Sequence, residues 1–393
     1  MTPSADSLFI DTGSSQCTHF DERICGDVLK FRRIPEEGRL LSVLADGMGH
    51  GVKANILATM TATMALKFAA AEREIVHSAE IMMDALPVSR DRDVSYSTFT
   101  IVDIRPGGWI YLVEMGNPEF ILLRRGRVHT VTGCTFASPK YKDRTMAAFH
   151  FQALPGDHLL YFSDGVSQAG LGTPHLPLGW QTSGAEAYAV EQLAQNPGLG
   201  AQELSERLLR QAIAQEPHLR PADDITVACI HFRTPHKLLL FTGPPVDPAR
   251  DAEIGEMFRN FDGAKVVCGG TSAEIVAREL KVPLKADFES YAGDLPPSSL
   301  IPGIDLVTEG IFTLTRAASY LEKHELQKLD PAGRLANLLR KYDVIEIVVG
   351  TKINEAYQDP NLPLDLEFRR NIVKRLESSL RDSYMKEVHV RFV

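Results

Sequence analysis

The sequence predicts an α+β protein, with antiparallel sheets flanked by helices over residues 1–235 and a smaller α/β unit over residues 236–393. Three observations predict it. In the first part, apolar and β-branched runs come in pairs around turns that carry Gly or Pro, the pattern of hairpins. The helical stretches of that part arrive in two blocks and not after every strand, which excludes regular βαβ alternation. From Lys237 onward short strands and helices do alternate, and Thr234-Pro235-His236 marks the change.

Taken in order, Leu8–Phe20 reads as a strand with small polar interruptions and Val28–Ile34 as a second, partly alternating one. Pro35-Glu36-Glu37-Gly38 turns the chain into Leu40–Leu44, an apolar run of strand length that stops at Asp46. Gly47, Gly49 and Gly51 then alternate with Met48 and His50, a turn whose glycines permit positive φ and close backbone approach. A helix rich in Ala, Leu and Met departs over Val52–Ala71, and Glu74–Leu86 continues helical. Strands resume at Ser97–Ile104 and Trp109–Met115, followed by Glu119–Arg124 and Arg127–Val131 around Arg125-Gly126. Phe149–Leu154 and His158–Phe162 pair around Pro155-Gly156-Asp157, and the second of them ends in Ser163-Asp164-Gly165. Ala185–Ala194 and Ala201–Gln215 are helical, and after Asp223-Asp224 a last strand runs to Phe232. Beyond the boundary, strands at Leu238–Phe241, Lys265–Cys268, Val344–Val349 and Val388–Val393 alternate with helices near Pro248–Asn260, Ser272–Leu280, Ala317–Lys328 and Leu366–Ser379.

A hydrophobic content of 44% and a charged content of 24% are those of an ordinary globular protein. A net charge of −9 argues against a nucleic-acid partner, which would call for a basic face. It does not exclude phosphate chemistry, because a bound cation can supply positive charge locally. The five cysteines are scattered and odd in number, so no disulfide framework is expected. The N-terminus lacks a basic segment followed by an apolar one, and the most apolar helical stretch is too short to span a bilayer. The expected compartment is the cytosol, with no membrane association.

Carboxylates recur at strand ends and starts: Asp27, Asp46, Asp164 and the pair Asp223-Asp224. The hairpin around Pro35–Gly38 puts Asp27 and Asp46 at the same end of one sheet, since the start of one strand lies beside the end of the next. Clustered carboxylates repel one another unless a cation neutralises them. Hard oxygen donors suit Mg²⁺ or Mn²⁺, and two such ions would lower the pKa of a water and clamp a phosphoryl group. The residues alone therefore predict a two-metal phosphoester hydrolase. No nucleophile elbow, P-loop or kinase signature competes with that expectation.

LADGMGHG (residues 44–51), FSDGVSQ (162–168) and ADDITV (222–227), in this order, resemble the motifs of the metal-dependent serine/threonine phosphatases of the PPM family. The form DGMGHG points to its SpoIIE-like bacterial branch, and the likeness covers roughly residues 5–233. The resemblance implies an αββα sandwich with a dinuclear Mn²⁺ or Mg²⁺ site at one end of two packed antiparallel sheets. It implies that Asp46 bridges both ions, that the carbonyl of Gly47 binds one, and that Asp164 and Asp223 bind the other. Asp27 would bind directly or through a ligand water, and Asp224 would support the ligands or hold a third ion. Two departures stand out: Gly26 replaces the acidic residue that eukaryotic-type members carry before Asp27, and Met48 replaces a histidine two positions after Asp46. His50 is then either a general acid for the leaving alkoxide or a residue of the turn.

The expected activity is hydrolysis of phosphoserine or phosphothreonine in a phosphoprotein, with an anti-anti-sigma-type protein of a partner-switching circuit as the plausible substrate. A homodimer is compatible with this reading. The rival is a silent phosphatase-shaped scaffold or sensor whose C-terminal domain binds a small anionic ligand or a partner. That domain carries one stretch of interest, Lys265–Leu280, where Gly269-Gly270-Thr271-Ser272 opens a helix. Backbone N–H groups at such a start can hold an anion, or Thr271 or Ser272 can simply cap the helix with Glu274 closing a capping box.

Overall fold

The computed structural model of the protein describes residues 8–72, 77–78, 81–82, 84, 97–137, 145–287, 298–325, 328–352 and 365–393. The helix expected over Glu74–Leu86 lies largely outside them. The chain divides into two compact units, Met1–Thr234 and Pro235–Val393.

In chain order the first unit contains β1 (Phe9–Cys17), β2 (Asp27–Ile34), β3 (Arg39–Gly47), α1 (Gly51–Ala70), β4 (Ser97–Arg105), β5 (Trp109–Met115), β6 (Ile121–Arg124) and β7 (Arg127–Val128). It continues with β8 (Cys134–Ala137), β9 (Thr145–Gln152), β10 (His158–Phe162), α2 (Asp164–Ser167), α3 (Gln181–Gln195), α4 (Ala201–Gln215) and β11 (Ile225–Arg233). The strands form a six-stranded sheet in the order β2-β3-β4-β5-β9-β8 and a five-stranded sheet in the order β1-β11-β10-β6-β7. All pairs in both are antiparallel.

The unbroken apolar run at Leu40–Leu44 has a packing reason. Leu41, Val43 and Ala45 face α1, where Ala58, Ala62 and Ala65 let the helix lie close to the sheet. The alternate residues Leu40, Ser42 and Leu44 are equally buried, and Ser42 Oγ meets Tyr161 Oη of the other sheet at 2.5 Å. A strand covered on both faces cannot alternate, and each such leucine contributes about 1.5–3 kcal/mol by leaving water. On the outer face of the five-stranded sheet, Leu160, Phe162, Val227 and Cys229 pack under Ala185 and Ala189 of α3 and Leu204 and Leu208 of α4. The layers are therefore helix, sheet, sheet, helices. Strand β8 was not expected, and β9 begins four residues before the run that suggested it. β8 is short and largely exposed, so it lacks the apolar pattern that marks a strand.

The second unit contains β12 (Lys237–Thr242), α5 (Asp251–Asn260), β13 (Ala264–Cys268), α6 (Gly270–Leu280), β14 (Lys285–Ala286), β15 (Ser299–Leu300) and β16 (Leu306–Thr308). After them come α7 (Ile311–Glu322), α8 (Pro331–Lys341), β17 (Val344–Val349), α9 (Asp365–Asp382) and β18 (Glu387–Phe392). The sheet order is β14-β15-β16-β13-β12-β17-β18, and β16, β13, β12, β17 and β18 run parallel. Counting these parallel strands in chain order gives third, second, first, fourth, fifth, the order of a doubly wound sheet. Helix α7 starts six residues before the expected Ala317, and α8 was not expected. The signals for α8 were present: Pro331 occupies its first turn and Asp330 caps it, with Oδ1 accepting from the Gly333 amide at 2.7 Å. Among the described residues no helix is long and apolar enough to cross a membrane.

Candidate metal centre

Asp27 opens β2 and Asp46 lies at the end of β3, and the register of the pair sets them directly opposite each other. In the other sheet, Asp164 lies two residues beyond the end of β10, at the start of α2, and Asp223-Asp224 precede the first residue of β11. Those two strands are also antiparallel, with Phe162 opposite Val227, so these acids share an end as well. Thr226 Oγ1 of β11 donates to Asp27 Oδ2 of β2 at 2.7 Å, and Asp224 Oδ2 accepts from the Gly26 amide at 2.9 Å, so the two sheet ends meet.

Three glycines explain how the segments come so near. A Cβ on Gly47 would lie 2.0 Å from the Ala54 carbonyl oxygen, so only glycine lets the end of β3 pass the first turns of α1. A Cβ on Gly165 would lie 2.2 Å from the carbonyl oxygen of Asp224, and one on Gly26 would lie 2.8 Å from Asp224 Oδ2. Each neighbours a site aspartate in sequence, and each sits where a second segment crosses.

Burial and mutual repulsion act on the acids together. Asp46 is pushed up to about 10 by burial first, then by the charges of Asp27, Asp164 and Asp223. Asp27, 3% exposed, is pushed up to about 7, again mainly by burial, while the Thr226 and Ser163 hydroxyls act in the opposite direction. Asp223 rises to about 6 through burial and then Asp164.

Asp224 behaves differently. Its Oδ1 accepts from the backbone amide of His19 at 3.0 Å and its Oδ2 from that of Gly26 at 2.9 Å. It therefore ties the loop before β2 to the start of β11. Thr226 Oγ1 donates to Asp27 Oδ2 at 2.7 Å and accepts from Gln16 Nε2 at 2.9 Å, while Ser163 Oγ accepts from the Thr226 amide at 2.9 Å. Gln168 Nε2 donates to Asp164 Oδ2 at 2.8 Å, and Ser97 Oγ donates to the Asp46 carbonyl at 2.6 Å. Ser163, Gln168 and Thr226 stand inside the acidic motifs, so sequence could have marked them.

His50 is exposed at the start of α1, with Nδ1 2.8 Å from Glu22 Oε1 and its ring stacked on His19 at 4.6 Å between centroids. His19 and Glu22 were not singled out from sequence. Their partners are about 30 residues away, and no local pattern announces them.

Among the described residues no group of three or more His, Cys, Asp and Glu side chains is placed so that it could hold a metal ion. The donor chemistry nevertheless fits a hard divalent cation. All four mutually repelling groups are carboxylates, and Mg²⁺ in particular binds through one or two of them while keeping several waters.

Several solved structures are similar to this chain. The PP2C phosphatase domain with a fragment of the regulatory domain of SpoIIE from Bacillus subtilis is 17% identical, with a TM-score of 0.47, over 58% of this chain and 63% of that one. The chain thus spans less than two thirds of that structure's length. The RsbU and RsbW domains of Rv1364c from Mycobacterium tuberculosis are 17% identical, with a TM-score of 0.47, over 74% of this chain and 72% of that one. The catalytic domain of the serine/threonine phosphatase PstP, solved with two manganese ions, is 18% identical, with a TM-score of 0.39, over 58% and 100%. No curated protein matches the chain. The model of the family described as Stage II sporulation protein E matches residues 36–233, just over half of the chain and the stretch that carries Asp46, Asp164 and Asp223; the chain belongs to the SpoIIE family.

Proposed function

We propose that the first unit is a divalent-metal-dependent phosphatase that hydrolyses phosphoserine or phosphothreonine in a protein substrate. The observation that carries this reading is the placement of four acidic residues, at positions 27, 46, 164 and 223, at strand ends of two sheets that the Thr226 Oγ1 to Asp27 Oδ2 bond of 2.7 Å joins. Among the described residues none of the four forms a salt bridge with a lysine or arginine, and burial and like charge oppose ionisation of Asp46 in particular. Two Mn²⁺ or Mg²⁺ ions, when bound, would offset that charge, lower the pKa of an attacking water and neutralise the phosphoryl oxygens.

The chain's own residues take distinct parts. Asp46 and the Gly47 carbonyl would hold the ions from β3, Asp164 and Asp223 would hold them from the other sheet, and Asp27 would contribute from β2. Asp224 is assigned a supporting part, because both of its oxygens already accept backbone amides. With Nδ1 of His50 held by Glu22, Nε2 is the nitrogen left to hand a proton to the departing serine or threonine oxygen. The second unit is assigned a regulatory part, and a small anti-anti-sigma-type phosphoprotein is the substrate class we favour.

Hydrolysis of para-nitrophenyl phosphate and of a phosphoserine peptide, with and without Mn²⁺, tests the proposal. Activity is expected to require Mn²⁺ and to disappear in Asp46→Asn and Asp164→Asn. Activity that ignores a chelator, or survives in Asp46→Asn, overturns it. Folded wild-type protein that neither turns over nor binds Mn²⁺ would establish the scaffold reading instead.

A further inference from the structure

In the second unit, β13 and β16 are parallel neighbours whose following helices leave to opposite faces. α6 packs with α5 against Phe241 and Val267, whereas α7 packs with α8 and α9 against Leu240 and Val266. The strand order reverses between β12 and β17, so β13 and β16 stand beside that switch point, and their carboxyl ends lead into two helix starts that lie next to each other.

The two helix starts are built alike. Each has a glycine as its cap, Gly269 for α6 and Gly310 for α7, and neither is capped by a side chain. Each has a buried hydroxyl at its third residue: Ser272, 1% exposed, and Thr313, 0% exposed. The two glycines touch. A Cβ built on Gly310 would lie 3.5 Å from Gly269 Cα, and one built on Gly269 would lie 3.3 Å from Ser272 Oγ and 3.9 Å from Gly310 Cα. Ser272 Oγ therefore faces the glycine end of its own helix. Gly269 has φ +127, a conformation that favours glycine, and a Cβ on the exposed Gly270 would meet nothing within 4 Å.

Neither Ser272 Oγ nor Thr313 Oγ1 has a hydrogen-bond partner among the described residues. Serine and threonine at a helix start ordinarily spend the hydroxyl on a cap or a nearby carbonyl. Here the capping box available to Thr271, Ser272 and Glu274 is not formed, because Gly269 is the cap. Two buried hydroxyls left idle are a standing cost to the fold, and a ligand oxygen would remove it.

We propose that these adjacent helix starts bind a phosphate group, held by the first-turn amides of α6 and α7 and by the hydroxyls of Ser272 and Thr313. The donor set, all N–H and O–H at two positive helix ends, matches an anion with several acceptor oxygens. Glu309, exposed and adjacent to Gly310 in sequence, opposes an anion, so Glu309→Gln is expected to tighten binding. The inference is independent of the phosphatase reading.

Calorimetry and thermal unfolding of the full chain with inorganic phosphate, after removal of divalent metal with a chelator, test it. Working without metal, and repeating in Asp46→Asn, keeps phosphate binding at the first unit out of the signal. Phosphate is expected to bind and to raise the melting temperature of both proteins alike. Ser272→Ala and Thr313→Val remove hydroxyls that the fold does not use. Their melting temperatures without phosphate should hold or rise, while phosphate binds about tenfold more weakly to each. Adenosine monophosphate is the second probe: tighter binding than inorganic phosphate identifies a phosphorylated small molecule as the ligand, and equal binding identifies the free anion. Absence of phosphate binding at millimolar concentration, or binding unchanged by both substitutions, overturns the proposal.

Discussion

Asp27 and Asp46 face each other across the β2–β3 ladder, two carboxylates in register at the edge of a buried core. Like charges directly opposite in a sheet are destabilising, and burial sharpens the effect. The metal-free protein therefore carries a strained site.

Asp46→Asn should raise the melting temperature of the metal-free protein while ending Mn²⁺-dependent turnover. A gain of 1 kcal/mol corresponds to about 2–4 °C for a unit of this size. Thermal unfolding in a chelator, set beside calorimetric Mn²⁺ titration, checks both halves. A lower melting temperature for the variant would contradict the account of repulsion at the site.

Asp224→Ala should do the opposite. It leaves the His19 and Gly26 amides without their acceptor, at a cost of about 1–3 kcal/mol each where buried. The variant is expected to be clearly destabilised and to lose less Mn²⁺ affinity than Asp46→Asn. Loss of Mn²⁺ affinity equal to that of Asp46→Asn would make Asp224 a ligand.

Ser42 and Tyr161 join the two sheets through buried hydroxyls, of which either can donate. Tyr161→Phe and Ser42→Ala each leave one partner unpaired and should each cost about 1–3 kcal/mol in denaturant unfolding. The double variant should cost less than the sum, giving a coupling energy of about 0.5–3 kcal/mol. Strict additivity would mean that the contact carries no energy of its own.

Glu114, 6% exposed, is raised to about 8, chiefly by burial, although its Oε1 accepts from the Phe120 amide. The folded state then keeps a proton that the unfolded chain sheds near pH 4.5. The associated stability is complete below that pH and is lost as pH rises to about 8, with a slope of up to about 1.4 kcal/mol per unit. Glu114→Gln keeps an acceptor for Phe120 and should flatten that part of the stability profile. An unchanged slope between pH 5 and 8 would show that the wild-type carboxyl is ionised.

His158 and His231 give the mirror case. They stack at 3.8 Å inside the five-stranded sheet, and burial lowers both, His231 to about 3. The unfolded chain takes up protons near pH 6.5 that the fold refuses, so their stability is present above that pH and lost below it. His231→Leu should shrink the loss of stability between pH 6.5 and 4, as read from urea midpoints.

Sequence by itself determined the local events. The continuous apolar run at Leu40–Leu44, the turn at Pro35–Gly38 and the Asp-Gly pairs at the end of β3 and shortly after β10 are each written in adjacent residues, and so was the hairpin that pairs Asp27 with Asp46. The change of architecture near Pro235 was legible for the same reason, because alternation of strands and helices is a property of neighbouring segments. What the tertiary structure decided depends on residues far apart in the chain. The use of Asp224 as an anchor for the His19 and Gly26 amides spans about 200 residues, and no spacing rule separates that role from ion binding. The stacking of His19 on His50 and the meeting of Gly269 with Gly310 are of the same kind. A helix start shows in sequence, but whether its hydroxyl caps the helix or is left for a ligand is decided by what another strand's loop brings beside it.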